Sequence, residues 1–190
     1  MSRPVLQVVA ASTRPGRRGI AVARWIEQLA AEHGGFDVEL VDLAEVGLPL
    51  FDEPHHPRLR RYEQPHTRAW SETVDRADAF AFVTPEYNHS FPGALKNALD
   101  FLSAEWADKA AGLVTYGGAS AGLRASAALK PVLGALRMVP VVEAVSVPFF
   151  ARFIDEEDVF VPNVELEAGG KAMLDELLRV TAGLRALRTA

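Results

Sequence analysis

Five short apolar segments, each followed by a turn and a helix-like pattern, constrain the fold of this 190-residue chain more than any other feature. Valine, leucine, alanine and phenylalanine make up most of each segment, and each has the length of a buried strand. Strands that alternate with helices at this spacing form βαβ units, which produce a parallel sheet covered by helices on both faces. The predicted strands are Val5–Ala10, Phe36–Leu43, Ala79–Val83, Ala110–Tyr116 and Val139–Val147.

Helical periodicity fills the intervals between the predicted strands. In the first interval apolar side chains recur at the spacing of one helix face, and the pair Gly34-Gly35 then stops the helix. Residues 44–65 contain four prolines and predict a long irregular surface loop. Five strands in about 150 residues, without a repeat or a linker, indicate one α/β domain over residues 1–190. We expect a three-layer, doubly wound parallel sheet in the order 2-1-3-4-5.

The composition excludes several classes of protein. The chain has no cysteine, which excludes disulfides, thiolate metal sites and cysteine nucleophiles, so any redox chemistry requires a bound cofactor. Its net charge of −5 argues against a nucleic-acid-binding face, which is normally basic. No apolar run reaches about 18 residues, and the first one is too short for a signal peptide. We therefore expect a cytoplasmic protein that binds neither nucleic acid nor membrane.

The loop after the first strand, residues 11–19, has the composition of a phosphate-binding loop. Ligands of doubly wound folds bind beyond the carboxyl ends of the strands, where this loop lies. Its hydroxyl, guanidinium and glycine residues are Ser12, Thr13, Arg14, Gly16, Arg17, Arg18 and Gly19. Hydroxyls and guanidinium groups donate hydrogen bonds to phosphate oxygens, and the start of the next helix adds unpaired N–H groups. The loop matches neither the Walker A nor the G-x-G-x-x-G pattern. The alternative is a solvated arginine-rich turn.

The loop after the third strand reads TPEYNHSFPG and concentrates polar chemistry in four consecutive residues. Pro85 fixes the chain direction, and the ring of Tyr87 can pack against a flat ligand. Asn88 offers donors and an acceptor to a ring edge that carries C=O and N–H groups. We expect the backbone N–H groups of Glu86, Tyr87 and Asn88 to be free, because loop backbone has no ladder partner. Ser90 is placed to cap the next helix.

Four residues in and after this loop have a structural interpretation beside the functional one. Glu86 suits a local ion pair as well as a ligand contact, because carboxylates at strand ends often pair with nearby cations. His89 is interpreted as a rim residue rather than a base, since redox chemistry carried by a cofactor requires no imidazole. Lys96 and Asn97 lie inside the following helix, where we expect them to orient loop backbone or to meet a partner subunit.

The loop after the fourth strand, TYGGASAGLRA, places two glycines next to a tyrosine. Gly117 and Gly118 allow the backbone to lie flat against a ligand, and Tyr116 can pack on the ligand's edge. A plain strand-to-helix turn explains the glycines as well, because Gly-Gly is common at such turns. For Arg124, a cap on the cavity and an ion pair are both open.

Together, the segments ASTRPGRRG, TPEYNHSFPGALKNALDFL and TYGGASAGLRA resemble the NADPH-dependent FMN reductase family, a flavodoxin-like group that includes quinone, azo-dye and chromate reductases. The three segments occur in the family's order, and the resemblance spans residues 5–147. The sequence departs from the family at Ala11, where many members have glycine, but alanine is compatible with an extended backbone there. The resemblance implies a flavodoxin-like, five-stranded parallel sheet.

The resemblance also implies one FMN per subunit, bound by all three loops at a dimer interface. Phosphate contacts are implied for Ser12, Arg14, Arg17 and Gly19. Contacts with the flavin ring are implied for Pro85, Glu86, Tyr87, Asn88, Tyr116, Gly117 and Gly118. No residue is implied as a catalyst or a metal ligand, since the cofactor carries the chemistry. A homodimer or homotetramer is implied, and the apolar side chains between Leu95 and Leu102 suggest the same.

The activity implied by the resemblance is hydride transfer from NADPH or NADH, through FMN, to a small-molecule acceptor such as a quinone or an azo compound. One alternative is a flavodoxin-like electron carrier or redox sensor without efficient NADPH turnover. Another is a non-enzymatic interaction module, whose signature would be loss of loops that this chain retains. The segment Arg58–Arg61 either frames a pocket for the 2′-phosphate of NADPH or is a solvated basic turn.

Overall fold

The five predicted strands form one sheet. The computed structural model describes residues 2–188, and its strands are β1 (Val5–Ala10), β2 (Asp37–Asp42), β3 (Ala79–Pro85), β4 (Ala110–Tyr116) and β5 (Val139–Val147). All neighbouring strands pair in parallel, in the order β2-β1-β3-β4-β5. This arrangement confirms the predicted doubly wound α/β fold, in which each crossover returns the chain to the same edge of the sheet.

Helices occupy the intervals between the strands. In residues 2–188 they are α1 (Gly19–His33), α2 (Leu43–Val46), α3 (Pro65–Arg76), α4 (Gly93–Asp100), α5 (Leu123–Ala135) and α6 (Val164–Arg188). Short 3₁₀ turns lie at Pro57–Leu59, Ala104–Trp106 and Phe150–Phe153. The end of α1 follows the prediction, because Gly34 takes a φ of 75° and donates its N–H to the carbonyl oxygen of Ala30. Glycine adopts this left-handed conformation at little cost.

The segment predicted as an irregular loop, residues 44–65, contains more local structure than its prolines indicated. The carboxylate of Asp42 accepts a hydrogen bond of 3.0 Å from the N–H of Ala44 and caps α2. Further along, Nδ1 of His56 accepts a hydrogen bond of 3.2 Å from the N–H of Arg58 and begins a 3₁₀ turn. Side chain–backbone bonds of this kind are local and leave no trace in apolar periodicity.

Two apolar cores lie on the two faces of the sheet. On one face, Ile26 of α1 and Leu177 of α6 belong to a buried cluster with side chains from the strands. On the other face, Trp70 of α3 and Leu129 of α5 belong to a second cluster. Burial of a large apolar side chain stabilises a fold by about 1.5–3 kcal/mol, so these two layers fix the sheet between them.

The apolar residues Leu95, Leu99 and Leu102, which suggested a subunit interface, lie instead in the protein's own core. Each of them is at most 1% exposed. The indole Nε1 of Trp70 donates a hydrogen bond of 2.9 Å to the carbonyl oxygen of Ala98 and holds α4 against α3. The interface interpretation of these side chains is wrong, because a helix that covers a sheet needs an apolar face with or without a partner subunit.

The carboxyl ends of β1, β3, β4 and β5 lie side by side and present four loops at one edge of the sheet. Backbone hydrogen bonds beyond the strands draw these loops together. The N–H of Glu86 donates to the carbonyl oxygen of Tyr116 at 2.9 Å, and that of Gly117 donates to Val147 at 3.2 Å. None of the helices described in residues 2–188 has both the length and the apolar character needed to cross a membrane.

Candidate functional site

A cavity of about 470 Å³ opens between the loops that follow β1, β3, β4 and β5. Its volume lies within the usual range of small-molecule sites. Of the eleven predicted cofactor contacts, the lining includes ten: Ser12, Arg14, Arg17, Gly19, Pro85, Glu86, Tyr87, Tyr116, Gly117 and Gly118. Asn88 is outside the lining. The fold therefore brings together residues from all three loops singled out in the sequence.

The first turn of α1 closes one end of the cavity, and within residues 2–188 the N–H groups of Gly19 and Ile20 have no hydrogen-bond partner, whereas that of Ala21 donates to Arg18 at 3.1 Å. No side chain caps this helix, whose first residue is Gly19. The N–H groups of a first helical turn lack partners within the helix and favour anions. Beside them, the hydroxyl oxygens of Ser12 and Tyr87 lie 3.0 Å apart, and the hydroxyl of Tyr116 lies against Gly19. Three hydroxyl groups thus converge on the amino end of an uncapped helix.

Tyr116 is held in place by packing. Its side chain is 3% exposed, and its ring centroid lies 4.8 Å from that of Phe150. Burial raises the pKa of Tyr116 above its ordinary value, and a hydrogen bond with Ser12 and the charge of Arg17 offset this only in part. The hydroxyl therefore stays protonated at neutral pH and remains able to donate a hydrogen bond to an anion.

Arg17 braces the loop of residues 11–19. Its guanidinium donates to the carboxylate of Asp42 at the end of β2 and, at 3.0 Å, to the carbonyl oxygen of Ser12. The side chain of Arg17 is 17% exposed and that of Asp42 is 6% exposed, so the pair is largely removed from solvent. A guanidinium carries five N–H groups, so Arg17 keeps donors for a ligand beyond these two contacts.

Arg18 and Arg14 differ in how far their charge is compensated. Arg18 donates to the carboxylate of Asp158 at 2.9 Å. Arg14 is exposed, and its one recorded hydrogen bond, of 3.4 Å, goes to the carbonyl oxygen of Pro15. Within residues 2–188 Arg14 has no carboxylate partner, which leaves its charge available to a phosphate.

The residues after β3 form a tight two-residue turn. Tyr87 and Ser90 exchange N–H···O bonds of 2.8 and 2.9 Å, while Asn88 and His89 take positive φ angles of 49° and 66°. These are the dihedrals of a hairpin turn of the type that favours asparagine. The prediction that Ser90 caps the next helix is wrong, because Pro92 occupies the N-cap position of α4.

Two of the three backbone N–H groups expected to be free in this loop are already bonded. The N–H of Glu86 donates to Tyr116, and that of Tyr87 donates to Ser90. The expectation of three free donors is wrong because β3 stays paired with β4 through Pro85, two residues past its predicted end, and because the turn bonds Tyr87 to Ser90. In the described part of the chain, Asn88 forms no hydrogen bond, so its N–H and its exposed amide remain available at the rim.

Glu86 forms an ion pair, which is the structural interpretation of the two weighed from the sequence. Its carboxylate accepts hydrogen bonds from Nε of Arg124 at 2.6 Å and from the N–H of Arg124 at 3.2 Å. Burial acts to raise the pKa of Glu86, but hydrogen bonds from Ser120 and Arg124 prevail and hold this pKa below its ordinary value. The pair decides between the two interpretations of Arg124 and ties the loop after β3 to the first turn of α5.

Asn97 orients loop backbone, as one of its two interpretations predicted. Its Nδ2 donates to the carbonyl oxygen of Pro49 at 2.7 Å, and its Oδ1 accepts from the N–H of Phe51 at 3.0 Å. Lys96 pairs with Asp100 at 2.6 Å on the exposed side of α4. Neither residue lines the cavity.

The arginine-rich segment at residues 58–61 also lies outside the cavity lining. Arg60 donates to the carboxylate of Asp75 at 2.5 Å, and its Nε lies 3.2 Å from the carboxylate of Glu105. Residues 58–61 are exposed and Arg60 is paired with carboxylates of the protein, which favours the solvated basic turn over a pocket for the 2′-phosphate of NADPH.

A fourth loop, residues 149–152 after β5, lines the same cavity and was missed by the sequence reasoning. The N–H groups of Phe149 and Phe150 donate to the carbonyl oxygens of Gly118 and Gly117 at 3.1 and 3.3 Å. Its position at the carboxyl end of a parallel strand was the available signal. The loop has no glycine, serine or threonine, and its arginine and phenylalanines form no motif, because such residues occur in many settings.

The residues of the cavity fit a flat ligand that carries a phosphate. A Cβ built on Gly118 would meet no atom within 4 Å, so the backbone there faces open space. The ring of Tyr87 is 37% exposed and can contact a ligand. At the other end, the hydroxyls and the start of α1 form a polar cradle of the kind that binds phosphate. FMN combines these two parts, a flat ring and a dianionic phosphate.

Comparison with solved structures defines the class of protein. The fold matches that of the flavoenzyme NAD(P)H:(acceptor) oxidoreductase from Paracoccus denitrificans with a TM-score of 0.76 at 20% sequence identity, covering 95% of this chain and 98% of that one. It also matches a flavodoxin from Streptococcus pneumoniae with a TM-score of 0.57 at 14% identity, covering 92% and 98% of the two chains. The protein is therefore a member of the flavodoxin-like fold class.

Sequence comparison defines the family. The family model described as NADPH-dependent FMN reductase matches residues 5–152. An NAD(P)H-dependent FMN reductase from Schizosaccharomyces pombe is 40% identical over 149 residues, which are 76% of this chain and 74% of that protein. A quinone reductase from Pseudomonas putida is 33% identical over 138 residues, with coverage of 69% and 70%. The chain belongs to the NADPH-dependent FMN reductase family, and it is an FMN-dependent NAD(P)H oxidoreductase.

Proposed function

We propose that the cavity is the FMN site and that the protein passes hydride from NADPH or NADH to quinone-like, azo or similar small-molecule acceptors. The observation that carries the proposal is the meeting of three hydroxyls with the uncapped start of α1, in a cavity bounded elsewhere by glycine backbone and aromatic rings. A phosphate suits the first part and a flat ring suits the second. Relatives named as quinone reductases support this class of acceptor.

At the phosphate end, the contributions of the residues differ. Ser12 and the N–H groups at Gly19 donate hydrogen bonds to phosphate oxygens, with the helix dipole adding favourable charge. Arg14 supplies a cation without a carboxylate partner in the described residues. Arg17 holds the loop in shape through Ser12 and Asp42 and contributes further charge.

At the ring end, the chain supplies a shaped wall. Tyr87 and Pro85 contact the ring from the side of β3, while the backbone of Tyr116, Gly117 and Gly118 closes its other edge. Glu86 acts mainly through its ion pair, which fixes the loop that carries Tyr87. Asn88 presents its unbonded N–H and its amide at the rim, where a ring edge with carbonyl groups would accept them.

Bound FMN supplies a ring that accepts two electrons as hydride from a reduced nicotinamide and returns them to an acceptor. The side chains of this protein bind and orient the reactants and exclude water. Donors that face the ring favour negative charge on it, which is an electrostatic contribution to the reaction. We assign His89 no part in proton transfer, because it lies on the turn outside the cavity lining.

The test is reconstitution followed by turnover. Purified protein incubated with FMN should retain the yellow cofactor through gel filtration and then oxidise NADPH when a benzoquinone is added. Failure to retain FMN would overturn the assignment of the cavity. Retention of FMN with negligible NADPH oxidation would instead indicate an electron carrier.

We further propose a cytoplasmic homodimer, or a pair of such dimers, with residues 1–190 as one domain. Leu50 and Phe51 support the assembly, because they are 85% and 41% exposed on the segment that Asn97 fixes. Adjacent exposed apolar side chains of this kind suit a subunit interface. Light scattering at micromolar concentration should give the mass of a dimer or tetramer, and a monomeric mass would refute this part.

A further inference from the structure

The rim of the cavity carries a positive charge that the fold does not explain. Arg152 lines the cavity from the 3₁₀ turn Phe150–Phe153. Within residues 2–188 its guanidinium has no carboxylate partner and makes no hydrogen bond. The guanidinium carbon lies 4.5 Å from the centroid of the Phe149 ring. A guanidinium stacked on an aromatic ring keeps its in-plane N–H groups free for an anion.

Phe149, which supports Arg152, has an unusual conformation. Its φ and ψ are both 46°, and its side chain is 45% exposed. Left-handed backbone at a bulky residue is a strained state that persists only where the surrounding structure imposes it, and such states cluster at functional sites. Here the N–H of Phe149 donates to Gly118, and the N–H of Arg152 donates to the carbonyl oxygen of Phe149 at 2.9 Å. The stacked pair is thus anchored to the cavity wall by backbone bonds.

The charges around the cavity leave Arg152 without a partner in the FMN site. Arg17 and Arg18 are compensated by carboxylates, whereas Arg14 and Arg152 are not within the described residues. Arg14 follows β1, beside the hydroxyls that suit the FMN phosphate. Arg152 follows β5, and β3 and β4 lie between these two strands. In the proposed site the single phosphate of FMN is served by the hydroxyls, the start of α1 and Arg14, so Arg152 is free to bind an anionic group of a second ligand.

We propose that Arg152, positioned on Phe149, binds a phosphate group of the reduced nicotinamide dinucleotide. The inference rests on the proposed function of the cavity, with the dinucleotide approaching the ring past this rim. A guanidinium matches the geometry of a phosphate with two parallel hydrogen bonds. Arg152 therefore determines the affinity for NADPH or NADH, and it does not determine the retention of FMN.

The test compares Arg152→Ala with the unchanged holoenzyme. The variant should raise the KM for NADPH and the dissociation constant of NADP⁺ about tenfold, the effect expected of one charge-assisted contact. FMN content and kcat should stay within about twofold. Arg152→Lys keeps the charge without the planar fork and should recover part of the affinity. The control is Arg137→Ala, which removes an exposed arginine paired with Asp108 outside the cavity and should change neither constant.

Comparing the KM changes for NADPH and NADH identifies which phosphate of the dinucleotide Arg152 contacts. A rise in KM for NADPH alone would assign the contact to the 2′-phosphate, and an equal rise for NADH would assign it to the pyrophosphate. Constants of Arg152→Ala within about twofold of the unchanged enzyme for both nucleotides would overturn the inference, as would a loss of FMN in this variant. Failure of the underlying function would show in the unchanged protein itself, as absence of FMN or of NADPH oxidation.

Discussion

The hydroxyl of Tyr116 lies directly against Gly19: a Cβ built on Gly19 would sit 1.7 Å from the Tyr116 oxygen and 2.5 Å from the ring carbon that bears it. No real Cβ fits there unless the buried ring of Tyr116 moves. The first residue of α1 is therefore glycine because β4 delivers an aromatic side chain to the same point. This contact places a hydroxyl at the amino end of the helix.

Gly19→Ala should weaken FMN binding by at least about tenfold, because the displaced Tyr116 would disturb the phosphate end of the cavity. Titration of apoprotein with FMN, followed by quenching of flavin fluorescence, measures the effect. Gly183→Ala is the matched control, since a Cβ there meets nothing within 4 Å on the exposed side of α6. The control should gain about 1 kcal/mol of helix stability and keep its FMN affinity. Unchanged affinity in Gly19→Ala would contradict the assignment.

Ser12→Ala and Tyr87→Phe each remove one of two hydroxyls that lie 3.0 Å apart. Each should raise the FMN dissociation constant several-fold, as expected for loss of about 1 kcal/mol of hydrogen bonding. The double variant should lose less than the sum, because the two groups share one hydrogen bond. Tyr62→Phe serves as control, since its hydroxyl donates to Glu105 at 2.7 Å outside the cavity. If Tyr62→Phe weakened FMN binding as much as Ser12→Ala does, the effect could not be assigned to the hydroxyls of the cavity.

Glu86→Gln should change the dependence of stability on acid. Ser120 and Arg124 hold the pKa of Glu86 below its ordinary value against the opposing effect of burial. The folded state therefore favours the carboxylate, and its stabilising contribution is present above the ordinary pKa and lost as the pH falls through the lowered one. In thermal unfolding between pH 7 and pH 3, Glu86→Gln should lose less stability on acidification than the unchanged protein does. Parallel curves for the two proteins would show that the ion pair does not contribute.

Because of Lys109, the free energy of unfolding should rise as the pH increases from neutral into mild alkali. Burial, followed by the charge of Arg188, lowers its pKa from 10.5 to about 8, and its Nζ donates to the carbonyl oxygen of Val74 at 2.7 Å. Between these two pKa values the unfolded chain binds more protons, so the free energy of unfolding rises with pH in this window, and below it Lys109 contributes no pH dependence. Urea unfolding at pH 7.5, 8.5 and 9.5 should show the rise in the unchanged protein. Lys109→Met should lack this increment, and equal slopes would contradict the assignment.

The sheet could be predicted closely from the sequence. The observed bounds of β1, β4 and β5 coincide with the predicted ones, and β2 and β3 differ by at most two residues at either end. Strands of a parallel sheet are buried on both faces and read as nearly continuous apolar runs, so their limits are visible in the sequence. The alternation with helices then leaves few permitted topologies.

The local chemistry of the site was less predictable. The turn between Tyr87 and Ser90 depends on positive φ at Asn88 and His89, which polarity alone does not reveal. The bond from Glu86 to Arg124 joins two loops that are distant in the sequence. The stacked pair after β5 has no motif, because aromatic and basic residues occur in many settings. The Glu86–Arg124 bond is a tertiary contact, whereas the turn and the stacked pair depend on left-handed backbone that residue types alone do not reveal.

The ion pair of Glu86 with Arg124 bears on whether the chain folds before or after it binds its cofactor. It fastens the loop after β3 to α5 without help from a ligand, so the wall that faces the ring is ordered when the chain folds. The entropy of ordering that loop is then absent from the free energy of cofactor binding. We expect cofactor association to need no rearrangement of this wall. We therefore expect the apoprotein to fold first and to bind FMN afterwards.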